Sequence, residues 1–189
     1  MEATTGTVEG DGMRIEKTTD KKYPERVILT DGAEILLGRQ SRFSDPWLKA
    51  HGCSLVAEFE ALQWLGVKKT WWPIYLEEWH RKNTPDEVFA KVTLRGVTEG
   101  INSIGKGKGT AEYIKTVTEK RVREALDSGA FVIYERKSPI HSLCLIKDAG
   151  TVYKLNGGTA KKSSPEYAAR TATTSKRYRG MIVVKRSAK

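Results

Sequence analysis

The chain has 189 residues, 39% of them hydrophobic and 30% charged, with Lys and Arg outnumbering Asp and Glu 33 to 23. That length and apolar content suit one globular domain around a single core, and no run approaches the ~18 apolar residues of a membrane span. Two cysteines exclude a disulfide framework and lack zinc-site spacing, and the N-terminus lacks the basic, apolar, small-residue order of a secretory signal, so a soluble protein is expected, cytoplasmic or released without a recognisable leader.

Residues 1–24 are polar, rich in Thr, Gly and Lys, and show no sustained period; they read as a flexible arm before a single domain over 25–189. "RVILTDGAEILLG" (26–38) sets two β-rich runs around Asp31-Gly32, a strong hairpin signal. In "HGCSLVAEFEALQWLG" (51–66), Leu55, Phe59, Leu62 and Leu65 recur at helical spacing, which predicts a helix over 54–65 with one apolar face and Cys53 at its entrance. "WWPIYLEEWHRKN" and "TPDEVFAKV" each put a proline, Pro73 and Pro85, at a first helical position and read as short helices. "GVTEGINSIGKGKGT" is punctuated by glycines and reads as ending in a flexible loop at 105–109, a rim over a cleft. In "TVTEKRVREALDSG", Thr116 and Glu119 are spaced as a capping box, Val122, Ala125 and Leu126 share one face, and Gly129 stops the helix. "FVIYE", "IHSLCLI", "TVYKL" and "GMIVVK" read as strands, giving an α+β chain without internal repeats.

Charge is uneven. Residues 161–189 hold nine Lys and Arg against Glu166 alone. Such a basic tail attracts polyanions, whether nucleic acid, an anionic membrane surface or cell-wall polymer, and it also simply aids solubility. "GINSIGKG" (100–107) nearly spells a phosphate loop, but Gly107 stands where the metal-binding hydroxyl belongs, and no strand feeds it. Trp64, Trp71, Trp72 and Trp79 read as core and helix packing rather than a cofactor box, with Trp71-Trp72 as an alternative cleft lining, and isolated acids and histidines supply no metal pattern.

Cys53 raises the question of nucleophilic chemistry. A thiol attacks as thiolate, and a helix start supplies partial positive charge and free N–H groups that stabilise both the thiolate and the oxyanion of acyl transfer. At about 100° per residue Cys53 falls outside the stripe of Leu55, Phe59 and Leu62, although free cysteine is also among the most buried residue types. Of the histidines, His51 is too close in sequence and His80 lies on a polar helix expected to be exposed, which leaves His141 as the base. Strand alternation groups His141 with Leu143 and Leu145 and turns Cys144 to the opposite face, so Cys144 reads as core. Two residues are candidates to orient the imidazole. Asp148 is roughly 23 Å along the same strand at 3.3 Å per residue. Asn156 ends the returning strand near the level of His141 and faces it only if the hairpin offset is even; it also reads as a helper of the glycine turn "NGGT".

"GCSLVAEFEALQWLG" together with "EKRVREALDSGAFVIYERKSPIHSLCLIKDAGTVYKLNGG" resembles the papain-like cysteine peptidases related to the bacteriocin-processing peptidases. The resemblance covers about residues 38–158. It implies a papain-like fold, with a helical part carrying Cys53 packed on a mostly antiparallel sheet carrying His141 and Asn156. It also implies Gln40, thirteen residues before Cys53, as the side chain completing an oxyanion hole. Ser54-Leu55 replaces the small residues that usually follow the cysteine there, and Asn156 replaces the commoner Asp. The implied activity is cleavage of a peptide or amide bond in a peptide or protein substrate through a thioester, with no cofactor. Two further readings are a non-catalytic binding protein of the same fold acting on a polyanion, and a cell-wall peptide hydrolase adsorbed through its basic charge.

Overall fold

The alternating strands of the last third build the centre of the molecule. In the computed structural model, which describes residues 7–8, 12–19, 25–42, 46–67, 74–83, 92–176 and 179–188, β5 (Gly109–Ile114), β6 (Phe131–Lys137), β7 (Ile140–Asp148), β8 (Thr151–Asn156), β9 (Thr159–Lys162) and β10 (Met181–Arg186) form one sheet. Its order is β5-β10-β6-β7-β8-β9, with every neighbouring pair antiparallel. Alternation then sorts side chains to two faces. Phe131, Ile133, Cys144, Ile146, Leu155, Ile182 and Val184 join one apolar cluster, while Val132, Tyr134, Leu143, Leu145, Met181 and Val183 join a second.

Helices cover both faces. The second cluster is closed by Val122, Ala125 and Leu126 of α5 (Glu119–Asp127) and by Ala168 of α6 (Pro165–Thr171). The first is closed by α2 (Cys53–Trp64) and α4 (Leu94–Ile104). Beyond α2 lies a four-stranded antiparallel sheet of β1 (Thr7–Val8), β2 (Arg14–Lys17), β3 (Glu25–Ile28) and β4 (Glu34–Leu37), in that order. α1 (Pro46–His51) leads into α2, and α3 (Ile74–Asn83) follows it, so the described residues hold six α-helices. None of them is long and apolar enough to cross a membrane.

The hairpin around Asp31-Gly32 forms as its sequence predicts. Gly32 takes φ 80°, and the Asp31 carboxylate accepts from Ala33 N at 2.9 Å. Gln63 of α2 then serves as a partner for β4, donating Nε2 to Leu36 O at 3.1 Å and accepting from Leu36 N at 3.0 Å. Asn102 of α4 does the same for Ala111 of β5 at 2.9 and 2.7 Å. Each amide satisfies a backbone N–H and C=O that would otherwise be buried unpaired.

Several expectations are corrected. α2 has no single apolar face: eleven of its twelve residues are buried, because β4, β7 and α4 surround it. Within the expected N-terminal arm, residues 14–17 form β2 and Met13 is buried, since the strand pairs with β3. The glycines at 96 and 100 hide a helix over Leu94–Ile104, whose buried Leu94, Val97 and Ile101 follow helical spacing. The loop at 105–109 is a hydrogen-bonded turn, with Lys108 N donating to Gly105 O at 2.9 Å, and Gly107 and Lys108 line a cavity with Asp31 and Trp64 rather than a rim over Cys53. Thr118, not Thr116, caps α5 by accepting from Arg121 N at 3.3 Å, while Gly129 ends it at φ 75°. The basic C-terminal stretch is not an appended tail. Its β10 lies between β5 and β6, with Met181 to Val184 all buried. Residues 84–91 of the helix read in "TPDEVFAKV", Pro73 and the Trp71-Trp72 pair lie outside the described residues.

His80 is the sharpest reversal. It is fully buried and hydrogen-bonds Glu58 of α2 at 2.6 Å, so a helix that looks polar in sequence turns its histidine inward to meet a buried carboxyl. Burial pushes the Glu58 carboxyl up, against the pull of His80.

Candidate active site

Gly52 joins two helices end to end. Its N–H donates to Leu48 O of α1 at 2.8 Å and its carbonyl accepts from Val56 N of α2 at 3.0 Å, so α2 begins at Cys53 with no side-chain cap. Helical spacing then lines one wall of a narrow cleft with Cys53, Val56, Ala57 and Glu60, at i, i+3, i+4 and i+7. The opposite wall is the end of the large sheet, His141 and Ser142 of β7 with Leu155, Asn156 and Gly157 around the end of β8. Gly38 and Gln40 close the cleft, a tight space of about 10 Å³.

All four residues singled out from the sequence therefore meet in one place. Neighbours of opposite strand parity, His141 with Ser142 and Leu155 with Asn156, line the same cleft. The site thus wraps around the strand ends instead of lying on one sheet face.

His141 is held from both sides. Its Nε2 pairs with Asn156 Oδ1 at 2.7 Å, leaving Nδ1 for the Cys53 thiol. The hydrogen bond with Cys53 is the largest influence on His141 and raises its pKa; burial opposes this, and the charge of the thiolate, the Asn156 contact and the charge of Glu135 add to the rise. β7 and β8 pair Cys144 with Leu155, so continuing the register sets Leu143 opposite Asn156 and gives His141 and Asn156 the even offset their contact requires. Asp148 is at the far end of β7, where its carboxylate accepts from Thr30 Oγ1 at 2.6 Å and from Thr30 N at 3.2 Å. It anchors the β3–β4 hairpin and is not available to the imidazole.

Gln40 lies in a 3-10 turn, Gln40–Arg42, directly after β4. One N–H of its amide donates to Lys49 O of α1 at 2.6 Å. That tether fixes the side chain and leaves a second amide N–H available to another acceptor. Cys144 is buried on the sheet face that meets α2, its thiol against Ala57 O at 3.9 Å.

Sequence reasoning missed two features of this site. Behind the Cys53–His141 pair, Ser54 Oγ meets Ser142 Oγ at 3.1 Å, and Ser142 donates to the buried Glu135 carboxylate at 2.5 Å, tying α2 to β7 and β6. The signal was the pair of serines, each directly following a proposed catalytic residue. The other is Glu60, 2% exposed on the cleft wall, whose Oε1 has no hydrogen-bond partner. Burial pushes its carboxyl up to about 8, with the Cys144 thiol pulling the other way. An acid seven residues after the cysteine, on the same side of the helix, is the signal there.

Among the described residues, no three His, Cys, Asp or Glu side chains stand together as a metal site. No protein-family model, curated protein or solved structure matches the chain.

Proposed function

We propose that the chain is a cysteine hydrolase of papain-like type that cleaves a peptide or amide bond through a thioester. The observation carrying this is the His141 ring, bonded through Nε2 to Asn156 at 2.7 Å and paired on its other side with the thiol at the start of α2. A nucleophile, a base in contact with it and a third group orienting that base are what thiol-mediated acyl transfer requires.

In this mechanism His141 Nδ1 takes the thiol proton and the Cys53 thiolate attacks the substrate carbonyl. The oxyanion is held by the Cys53 backbone N–H at the positive end of α2 and by the free amide N–H of Gln40. His141 returns the proton to the departing amine, leaving a thioester on Cys53. Water, deprotonated by the same imidazole, then attacks the thioester and releases the acid with the thiol restored. Asn156 accepts the Nε2 proton throughout, which fixes the tautomer that leaves Nδ1 facing sulfur.

The test is the pH dependence of Cys53 alkylation in a Cys144→Ala background. Because the thiol raises the affinity of His141 for a proton, protonated His141 by reciprocity favours the thiolate. Rapid alkylation near pH 6 is expected, falling about tenfold or more in His141→Ala. A rate that rises only near the ordinary thiol pKa, the same in both proteins, would refute the pair. Cleavage of a peptide library, abolished by Cys53→Ala, completes the test.

A further inference from the structure

Glu135 has no part in the chemistry above, and packing alone does not account for an acid at its position. Alternation along β6 puts it on the same face as Phe131 and Ile133, which belong to the apolar cluster closed by α2. The strand register sets it opposite Ser142 of β7, just as Ile133 is set opposite Cys144. It is 1% exposed. A third apolar residue would continue that column, whereas a carboxylate there loses its water and needs hydrogen bonds and an opposite charge to offset the loss.

Both are supplied by the residues around Cys53 and His141. Ser142 Oγ donates to Glu135 Oε1 at 2.5 Å, and Ser54 Oγ lies 3.1 Å from Ser142 Oγ. A hydroxyl has one hydrogen, and that of Ser142 is committed to the carboxylate, so Ser54 is the donor to Ser142. Both hydroxyl dipoles therefore point toward Glu135, and neither serine is more than 5% exposed. The chain of bonds reaches the reacting pair through its direct neighbours: Ser54 follows Cys53, and Ser142 follows His141. The opposite charge is the imidazolium, which the charge of Glu135 favours. Three other ionisable groups stand near that ring. Cys53 is its proton partner. Glu60 of α2 keeps its own proton up to about 8 and adds no charge in slightly acidic solution. Arg136, set opposite His141 by the register, is a cation that bears on Tyr167, and a like charge disfavours the imidazolium.

Resting on the hydrolase reading, we propose that Glu135 is a positioning residue for the reaction: through Ser142 and Ser54 it fixes the first turn of α2 against β7 and keeps a negative charge close to the imidazolium. Cys53 opens α2 with no side-chain cap, so the bond from Ser54 to Ser142 ties that turn, one residue from each partner, to the strand of the base. When the proton moves from Cys53 to His141, the new positive charge appears on the residue next to the one Glu135 holds. The charge-separated pair is thereby favoured over neutral thiol and imidazole. Glu135 acts through His141 and Cys53 and touches no substrate.

The experiment titrates the His141 ring by NMR, its signals told apart from those of the other two histidines with His141→Ala. Alongside it, iodoacetamide alkylation of Cys53 is read by intact mass. All proteins carry Cys144→Ala and are first checked for folding by circular dichroism. Glu135→Gln keeps an oxygen to accept from Ser142 and removes only the charge, so the His141 midpoint should fall by about one pH unit. Ser54→Ala keeps the charge and cuts the chain at α2, so the midpoint should hold while alkylation in slightly acidic solution slows roughly three- to tenfold, the worth of one hydrogen bond. A contact that only supported the fold would lower the unfolding temperature in both variants and move neither reading. An unmoved midpoint in Glu135→Gln overturns the proposal, and so does parent-like alkylation in Ser54→Ala. Should Glu135→Gln fail to fold, Ser54→Ala decides by the same alkylation reading. A parent Cys53 that reacts no faster than an ordinary thiol removes the hydrolase reading and this proposal with it, whereas a fast parent with an unmoved Glu135→Gln midpoint removes this proposal alone.

Discussion

Replacing Gly100 with alanine sets helix propensity against packing. In the middle of α4 alanine favours the helix by roughly 0.5–1 kcal/mol over glycine. A Cβ at that position, however, stands 2.0 Å from Glu58 Oε1, 3.0 Å from Glu58 Cδ and 3.3 Å from His80 Nε2. Glu58 and His80 are both fully buried and bonded to each other, so the carboxylate has no solvent to swing into. Relief requires either breaking that pair, which costs about 3–5 kcal/mol inside a protein, or moving α4 away from α2 and opening the packing of Val97 and Ile101. Setting the helix gain against this leaves a loss of roughly 2–4 kcal/mol, or about 5–15 °C in Tm for a chain of this size. Thermal and urea unfolding of Gly100→Ala at neutral pH measure it. In the Gly100→Ala/Glu58→Ala double variant the clashing atoms are gone, so its loss should be smaller than the sum of the two single losses by about 1 kcal/mol or more. A Tm for Gly100→Ala at or above that of the parent would mean that propensity governs the site and that the packing argument is wrong. Because α2 carries Cys53 at its first residue, a shifted α2 should also slow alkylation of Cys53.

Two further expectations concern neighbouring residues of the cleft and sheet. Asn156→Ala should lower turnover roughly 10- to 100-fold, the cost of one hydrogen bond to a group that becomes charged, whereas Asp148→Ala should leave Cys53 reactivity intact and lower stability by about 1–3 kcal/mol through the lost Thr30 bonds; the opposite assignment of effects in parallel kinetic and unfolding assays would show that the wrong residue orients His141. Glu60 predicts a pH-dependent stability. The unfolded chain gives up this proton at its ordinary value of 4.5 while the folded chain holds it to about 8. The contribution is therefore full below about pH 4.5 and lost as pH rises to about 8, by roughly 5 kcal/mol at 1.36 kcal/mol per unit. Urea unfolding should show the parent losing stability relative to Glu60→Gln between about pH 5 and pH 8; a constant difference between the two proteins would contradict a buried, proton-holding carboxyl.

Much of this arrangement was legible from residue order because the relevant signals are local. The Asp31-Gly32 turn, the stop at Gly129 and the alternation of the late strands depend on backbone conformation and on a period of two, and both are written in a few consecutive residues. The placement of Cys53 at a helix start and of His141 near a strand start follows from the same short-range logic. What local pattern did not reach is what each element packs against. The sequence of α2 suggests one apolar face, yet the helix is enclosed on all sides, and the carboxyls of Glu58 and Glu60 are buried with it. Nothing near His80 reveals that Glu58 lies opposite, because the two are brought together by the crossing of separate helices. The helix over Leu94–Ile104 was hidden for a related reason: its glycines weaken it in isolation, and Gly100 is required there only because Glu58 fills the space a side chain would take. The basic C-terminal stretch reads as a tail until β10 finds its place between β5 and β6, a long-range pairing that charge does not encode. Residue order specifies most of the late strands, the Asp31-Gly32 turn and the reactive residue types they and α2 carry. Long-range pairing brings Asn156 and not Asp148 to His141, since strand register and the Asp148–Thr30 contact arise between segments distant in the chain.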